Sequence, residues 1–238
     1  MFRKKSHIFI FMTCLFITAH RVSADPTSTT LPDNRDPCAA FVEGGSYVSQ
    51  TIIMNIENRE VTLHVPEIFF EDSWDKRQGF TDTSQLFRVE IGTFTPVSRE
   101  ETANRNKRGI WNWMTFLIGD YIPLEDLASY YIGKDISSLD SDQIIPDLPK
   151  NIGPFDLLYF DHHGDNYQDV FASIDSNGLL SSMITCDNQI NATYPGCTQW
   201  FRAAGVDVQL RYRRSELSNW NGIQKDVTAF LNCAIITR

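Results

Sequence analysis

The densest run of chemically capable side chains is Asp161-His162-His163-Gly164-Asp165-Asn166, directly after an apolar stretch that reads as a strand. Loops at strand ends commonly carry function. Two imidazoles and two carboxylates are suitable ligands for a divalent cation, and a bound cation could activate water for hydrolysis. A hydrolase built here would draw its catalytic groups from Asp161, His162, His163 and Asp165, and its metal ligands from His162, His163 and Asp165. The spacing works against this. Adjacent residues on an extended chain point to opposite sides, so a single metal would need a turn here and ligands from elsewhere. Beyond the first 24 residues the chain offers one other histidine, His64, inside a predicted strand. The simpler expectation is a solvated turn, with no catalytic residue and no cofactor.

The triplet Asp161-His162-His163 is similar to the signature of the DHH phosphoesterases. That likeness implies further aspartate motifs on a parallel-sheet domain, and the sequence offers neither. Nucleophilic and nucleotide chemistry has less support still. There is no G-x-S-x-G elbow, no P-loop and no G-x-G-x-x-G. Asp175-Ser176-Asn177-Gly178 opens like a calcium loop, but the twelfth position, 186, is Cys and not an acid. A hairpin turn explains it. Arg105-Asn106-Lys107-Arg108 reads as an exposed basic loop, Asn191-Ala192-Thr193 as an exposed loop bearing a sequon, and Trp111 and Trp113 as core aromatics.

The elements that must position these residues belong to an exported chain. Arg3, Lys4 and Lys5 precede an apolar run from Ile8 to Ala19, and Val22-Ser23-Ala24 places small residues at a cleavage site. Residues 1–24 therefore read as a signal peptide. The apolar run is shorter than the ~20 residues of a membrane-spanning helix. Cys14 lies inside that run without the small residues a lipidation site needs. The whole chain of 238 residues carries −9; without residues 1–24, 17 basic groups face 30 acidic ones, a balance of −13. So acidic a chain is a poor ligand for nucleic acid, whose phosphates dominate affinity. Hydrophobic residues at 42% and charged ones at 21% are ordinary for a globular domain. No transmembrane segment is expected in the mature chain.

Four cysteines follow the signal: Cys38, Cys186, Cys197 and Cys233. An even count in an exported protein points to disulfides. Cys186 and Cys197 flank one short polar loop, which favours their pairing and leaves Cys38 to Cys233. The absence of a C-x-x-C removes support for a redox enzyme or a cysteine zinc cluster.

Residues 25–37 read as an extended linker and 38–238 as a single α+β domain. Antiparallel β-hairpins form most of its core, with a packed C-terminal amphipathic helix. Tyr47 to Ile56 and Glu60 to Val65 form the first hairpin, and Leu86 to Phe94 a third strand. Ser98 to Arg108 reads as a loop, Ile110 to Ile118 as a buried strand, and Pro123 to about Tyr131 as a short helix burying Leu124, Leu127 and Tyr131. Gly133 to Gly153 reads as a long loop and Phe155 to Phe160 as a strand. Hairpins follow at Val170–Thr185, around Asn177-Gly178, and at Thr198–Tyr212. In the last strand Val206, Val208, Leu210 and Tyr212 share one face. A final helix, capped by Ser218, carries Trp220, Ile223, Val227, Phe230 and Leu231 as its apolar stripe.

The C-terminal block resembles small exported bacterial proteins of unknown activity, some of them periplasmic immunity proteins. The likeness lies in Cys197-Thr198-Gln199-Trp200-Phe201, Val206 to Arg213, and Leu217-Ser218-Asn219-Trp220-Asn221-Gly222-Ile223 running into the helix. It implies an interaction module, periplasmic or secreted, whose partner is another protein. A basic secreted effector fits the acidic charge. Two alternatives remain: the metal-dependent hydrolase centred on Asp161–Asp165, and a structural envelope protein.

Overall fold

The computed structural model describes residues 36–132, 151–160, 168–188 and 193–236. The expected signal peptide, most of the expected linker, and the Asp161–Asn166 cluster with its metal alternative lie outside those residues, as does Asn191. Within the unit Asn34–Arg238, strands dominate, organised as two sheets with three α-helices.

The first sheet begins as the expected hairpin. β1 (Tyr47–Met54) pairs antiparallel with β2 (Arg59–Pro66), and the turn closes through Asn58 in the left-handed region. Their alternation buries Val48, Ile52 and Met54 from one strand and Val61, Leu63 and Val65 from the other. The chain then loops through residues 67–79 and returns as β3 (Phe80–Asp82), parallel to β1. This parallel pair departs from the all-hairpin expectation. It arises because the connection crosses to the far edge of β1 and does not double back on β2.

Immediately afterwards the chain enters the second sheet as β4 (Ser84–Glu90), which ends short of Phe94. α1 (Arg99–Lys107) follows, where a loop was expected. Its start is a serine N-cap: the Ser98 hydroxyl accepts the Glu101 N–H at 3.0 Å. Glu101 also meets Arg105 one turn on, and Gly109 at φ 72° terminates the helix. β5 (Trp113–Gly119) leads to α2 (Leu124–Ile132), whose Pro123 carbonyl accepts the Leu127 N–H. Ala128 is the fully buried residue of α2, with Leu124 and Tyr131 packed beside it.

The expected strand at Phe155–Phe160 divides. β6 (Asn151–Ile152) and a 3-10 turn at Pro154–Asp156 precede β7 (Leu158–Phe160), because Phe155 and Asp156 both adopt positive φ. β8 (Gln168–Ile174) and β9 (Leu180–Asp187) form a hairpin whose loop is held by the Asp175 carboxylate, which accepts the N–H groups of Asn177 and Leu179. β10 (Gly196–Ala203) and β11 (Val206–Arg213) form the next. A 3-10 turn at Arg214–Asn219 then enters α3 (Trp220–Ala234), so the residue before the helix is Asn219, one position after the expected cap, Ser218. No side chain caps this end.

The second sheet has the strand order β4-β5-β11-β10-β9-β8-β7-β6. Its inner face, the first sheet and α3 enclose the main core. Phe230 of α3 sits among Phe41, Phe69, Phe87, Phe94 and Phe116, with ring centroids 4.8–5.6 Å away. Polar groups admitted to the interior are bonded there: fully buried Gln199 accepts the Tyr212 hydroxyl and donates to Gln224 of α3 and to buried Ser182. Two disulfides close the unit, Cys38–Cys233 and Cys186–Cys197, the pairings favoured by spacing.

Candidate protein-docking groove

The outer face of the large sheet is only half covered. Cross-strand pairing lines up Ala172, Met183, Trp200, Gln209, Leu117 and Leu86 in one row across six strands. Directly opposed residues lie on the same face. α2 covers the row at Ala172 and Met183, and Tyr131 meets the Trp200 ring at 5.6 Å. Beyond Trp200 the row runs on through Gln209, which lines the groove beside α2, to Leu117 and exposed Leu86.

The groove at this boundary is built by two turns over the sheet and α2. The β1–β2 turn supplies Ile56, 63% exposed, and the loop from β5 to α2 supplies Ile122, 62% exposed, next to Pro123. Trp200 forms the floor and Leu127 of α2 the wall. Polar bonds hold the turns in register. The Asp120 carboxylate accepts the Ile56 N–H at 2.6 Å, and the Asp207 carboxylate accepts the Tyr121 N–H at 3.0 Å. Arg59 donates to the Gly205 carbonyl and to Glu57, and Arg202 reaches Glu57. The Tyr121 ring lies over Gly119, where a Cβ would stand 2.8 Å from the Thr83 carbonyl and 3.1 Å from the tyrosine ring.

The rim is mostly acidic. Glu57, Asp120, Glu125, Asp126 and Asp207 line it with one cation, Arg202, which pairs with Glu57 and Asp207, while Glu125 and Asp126 make no ion pair among the described residues. Hydrogen bonds from Arg59, then Arg202, hold the Glu57 carboxyl below its ordinary range. Burial pushes Asp207 upward. The Tyr121 hydroxyl, also pushed up by burial, stays protonated at physiological pH.

The residues singled out by chemistry fall elsewhere. His64, the one other histidine beyond the first 24 residues, is described. It stacks on Tyr47 at 4.4 Å, and its Nδ1 lies 3.0 Å from the Ser49 hydroxyl. No group of three potential ligands occurs among the described residues. Arg105 of the basic stretch is spent on Glu101 of its own helix, on Glu90 at the end of β4 and on Asn112. Trp111 packs on Tyr194 at 4.8 Å and beneath the Arg213 guanidinium at 4.3 Å, a surface cluster and not part of the core. No helix among the described residues is long and apolar enough to cross a membrane.

No known family and no curated protein matches the chain. Two solved structures are similar in chain path. One is Smlt3025, an immunity protein of the Stenotrophomonas maltophilia type IV secretion system, at 15% identity and a TM-score of 0.49, with 82% of this chain and 97% of that one covered. The other is FrpD, the iron-regulated outer membrane lipoprotein of Neisseria meningitidis, at 14% identity and a TM-score of 0.43, with 78% and 92% covered.

Proposed function

We propose that this chain is an exported, periplasmic, non-enzymatic protein-binding protein of the immunity or inhibitor type, and that its partner is a basic protein docked in the groove beside α2. One observation carries the reading: exposed Ile56 and Ile122 flank Trp200 within a rim where carboxylates outnumber the one lining cation, Arg202. Contiguous exposed apolar surface with a polar rim is the anatomy of an interface, where aromatic anchors supply most of the energy. The carboxylates supply the complement to a cationic surface and would speed its approach. The two disulfides support an oxidising compartment.

The test is retention on immobilised protein. Envelope extract from the native host is passed over the wild-type chain and over Ile122→Asp, at low and moderate salt. The reading predicts a basic protein held by the wild type, lost on the variant and released by salt. Retention identical on both columns would contradict it.

A further inference from the structure

We infer that Asp207 is the positioning residue of this groove: it holds the Tyr121–Ile122 loop through the Tyr121 N–H, so that acid loosens the loop without loosening the fold. The inference deepens the docking reading and rests on it for its meaning, but the loop itself is testable without a partner.

The loop between β5 and α2 carries Ile122, and its tie to the sheet is the 3.0 Å bond from the Tyr121 N–H to Asp207 Oδ2. Asp207 sits at the second position of β11, on the outer face, with 19% of its side chain exposed. Its other oxygen is 3.7 Å from the Arg202 guanidinium, which is shared with Glu57. The charged groups facing it are Arg202 on β10, Asp120 on the same loop as Tyr121, and Glu57 on the β1–β2 turn. Arg202 and the Tyr121 N–H favour the carboxylate, while Asp120 and Glu57 oppose it, and burial opposes it most.

A carboxyl raised in the folded state contributes its stability below the unfolded value and loses it as pH rises. Protonating Asp207 therefore costs the global fold nothing. It does cost the loop, because a charge-assisted hydrogen bond is about twice as strong as a neutral one. Local hold and global stability thus move in opposite directions with pH at this residue.

Amide hydrogen exchange by NMR reads the two separately. Wild type, Asp207→Asn and Asp207→Ala are compared at neutral and mildly acidic pH, after correction for intrinsic exchange. At neutral pH the Tyr121 amide should open roughly five- to ten-fold more often in Asp207→Asn, the change expected on losing charge assistance. The loss should be larger in Asp207→Ala. In acid the wild type should approach Asp207→Asn, which should itself change little with pH. The amides of β10 and β11 should keep their protection, and the melting temperature of Asp207→Asn should not fall. Unchanged Tyr121 exchange in both variants would overturn the inference, as would protection lost together at Tyr121 and in the central strands. If Asp207→Ala does not fold, Asp207→Asn carries the test, since its amide oxygen still accepts. The docking reading is tested by retention on the column and this one by Tyr121 exchange in the isolated chain, so failure of the docking reading is distinguishable from failure of this one.

Discussion

Asp120 and Ile56 are separated by 64 residues, yet the carboxylate of one accepts the backbone N–H of the other at 2.6 Å. That bond ties the hairpin turn of the small sheet to the loop that leaves the large sheet. It is exposed, so its net worth is modest. Asp120→Ala should lower stability by about 1 kcal/mol, while Asp120→Asn should retain most of the bond. Urea unfolding of the two variants checks both values.

Phe230 is the hub of the aromatic core. Phe230→Ala leaves five phenylalanines facing a cavity. The expected cost is about 3–5 kcal/mol, read from the urea midpoint at unchanged slope. Phe230→Leu should cost clearly less.

The disulfides differ in what they restrain. Cys38–Cys233 closes a loop with a sequence separation of 195, and Cys186–Cys197 one of 11 between strands already paired. Replacing either pair by serine should cost about 2–4 kcal/mol, the long loop more than the short one by the chain-entropy argument. Non-reducing peptide mapping should recover each pair joined before these variants are measured.

Acid should act through depressed carboxyls. Asp175 is held below its ordinary range chiefly by the Leu179 N–H, and Glu101 by Arg105. A depressed carboxyl contributes stability above its unfolded value and loses it as pH falls through the folded one. The contributions of Asp175 and Glu101 should therefore be level near neutrality and decline below the ordinary carboxylate range, opposite in sign to that of Asp207. Asp175→Asn should flatten part of that decline. Thermal melts across pH check the slope, and exchange at the Leu179 amide locates it.

The paired histidines separate the two functional classes. His162→Ala with His163→Ala should change stability by less than about 0.5 kcal/mol, as for solvated surface positions. Metal analysis of the wild type and the double variant decides the matter. A stoichiometric transition metal, lost in the variant, would move the protein to the hydrolase class.

Much of the fold was legible because burial imposes a period. Val206, Val208, Leu210 and Tyr212 alternate because one face of β11 meets the core, and the stripe from Trp220 to Leu231 repeats because α3 packs along one side. α1 escaped that logic. It is polar all round and buries only Thr102, so no period marks it; its signal was the N-cap pattern Ser98-x-x-Glu101. The groove was illegible for a different reason. Ile56, Ile122 and Trp200 come from three distant segments, brought together by strand register within the large sheet and by the Asp120–Ile56 bond between the sheets. In sequence Asp207 is simply an outward polar residue of a strand. Only the fold sets it beneath the Tyr121 N–H.

The central claim is that the groove beside α2 binds a basic protein. Its most direct test is calorimetric titration of the protein retained by the wild-type column against wild type, Ile122→Asp and Trp200→Ala. The account predicts at least about a ten-fold loss of affinity in each variant, as for an interface anchor, and a wild-type affinity that weakens as salt rises. Equal affinity for all three chains, indifferent to salt, would contradict it.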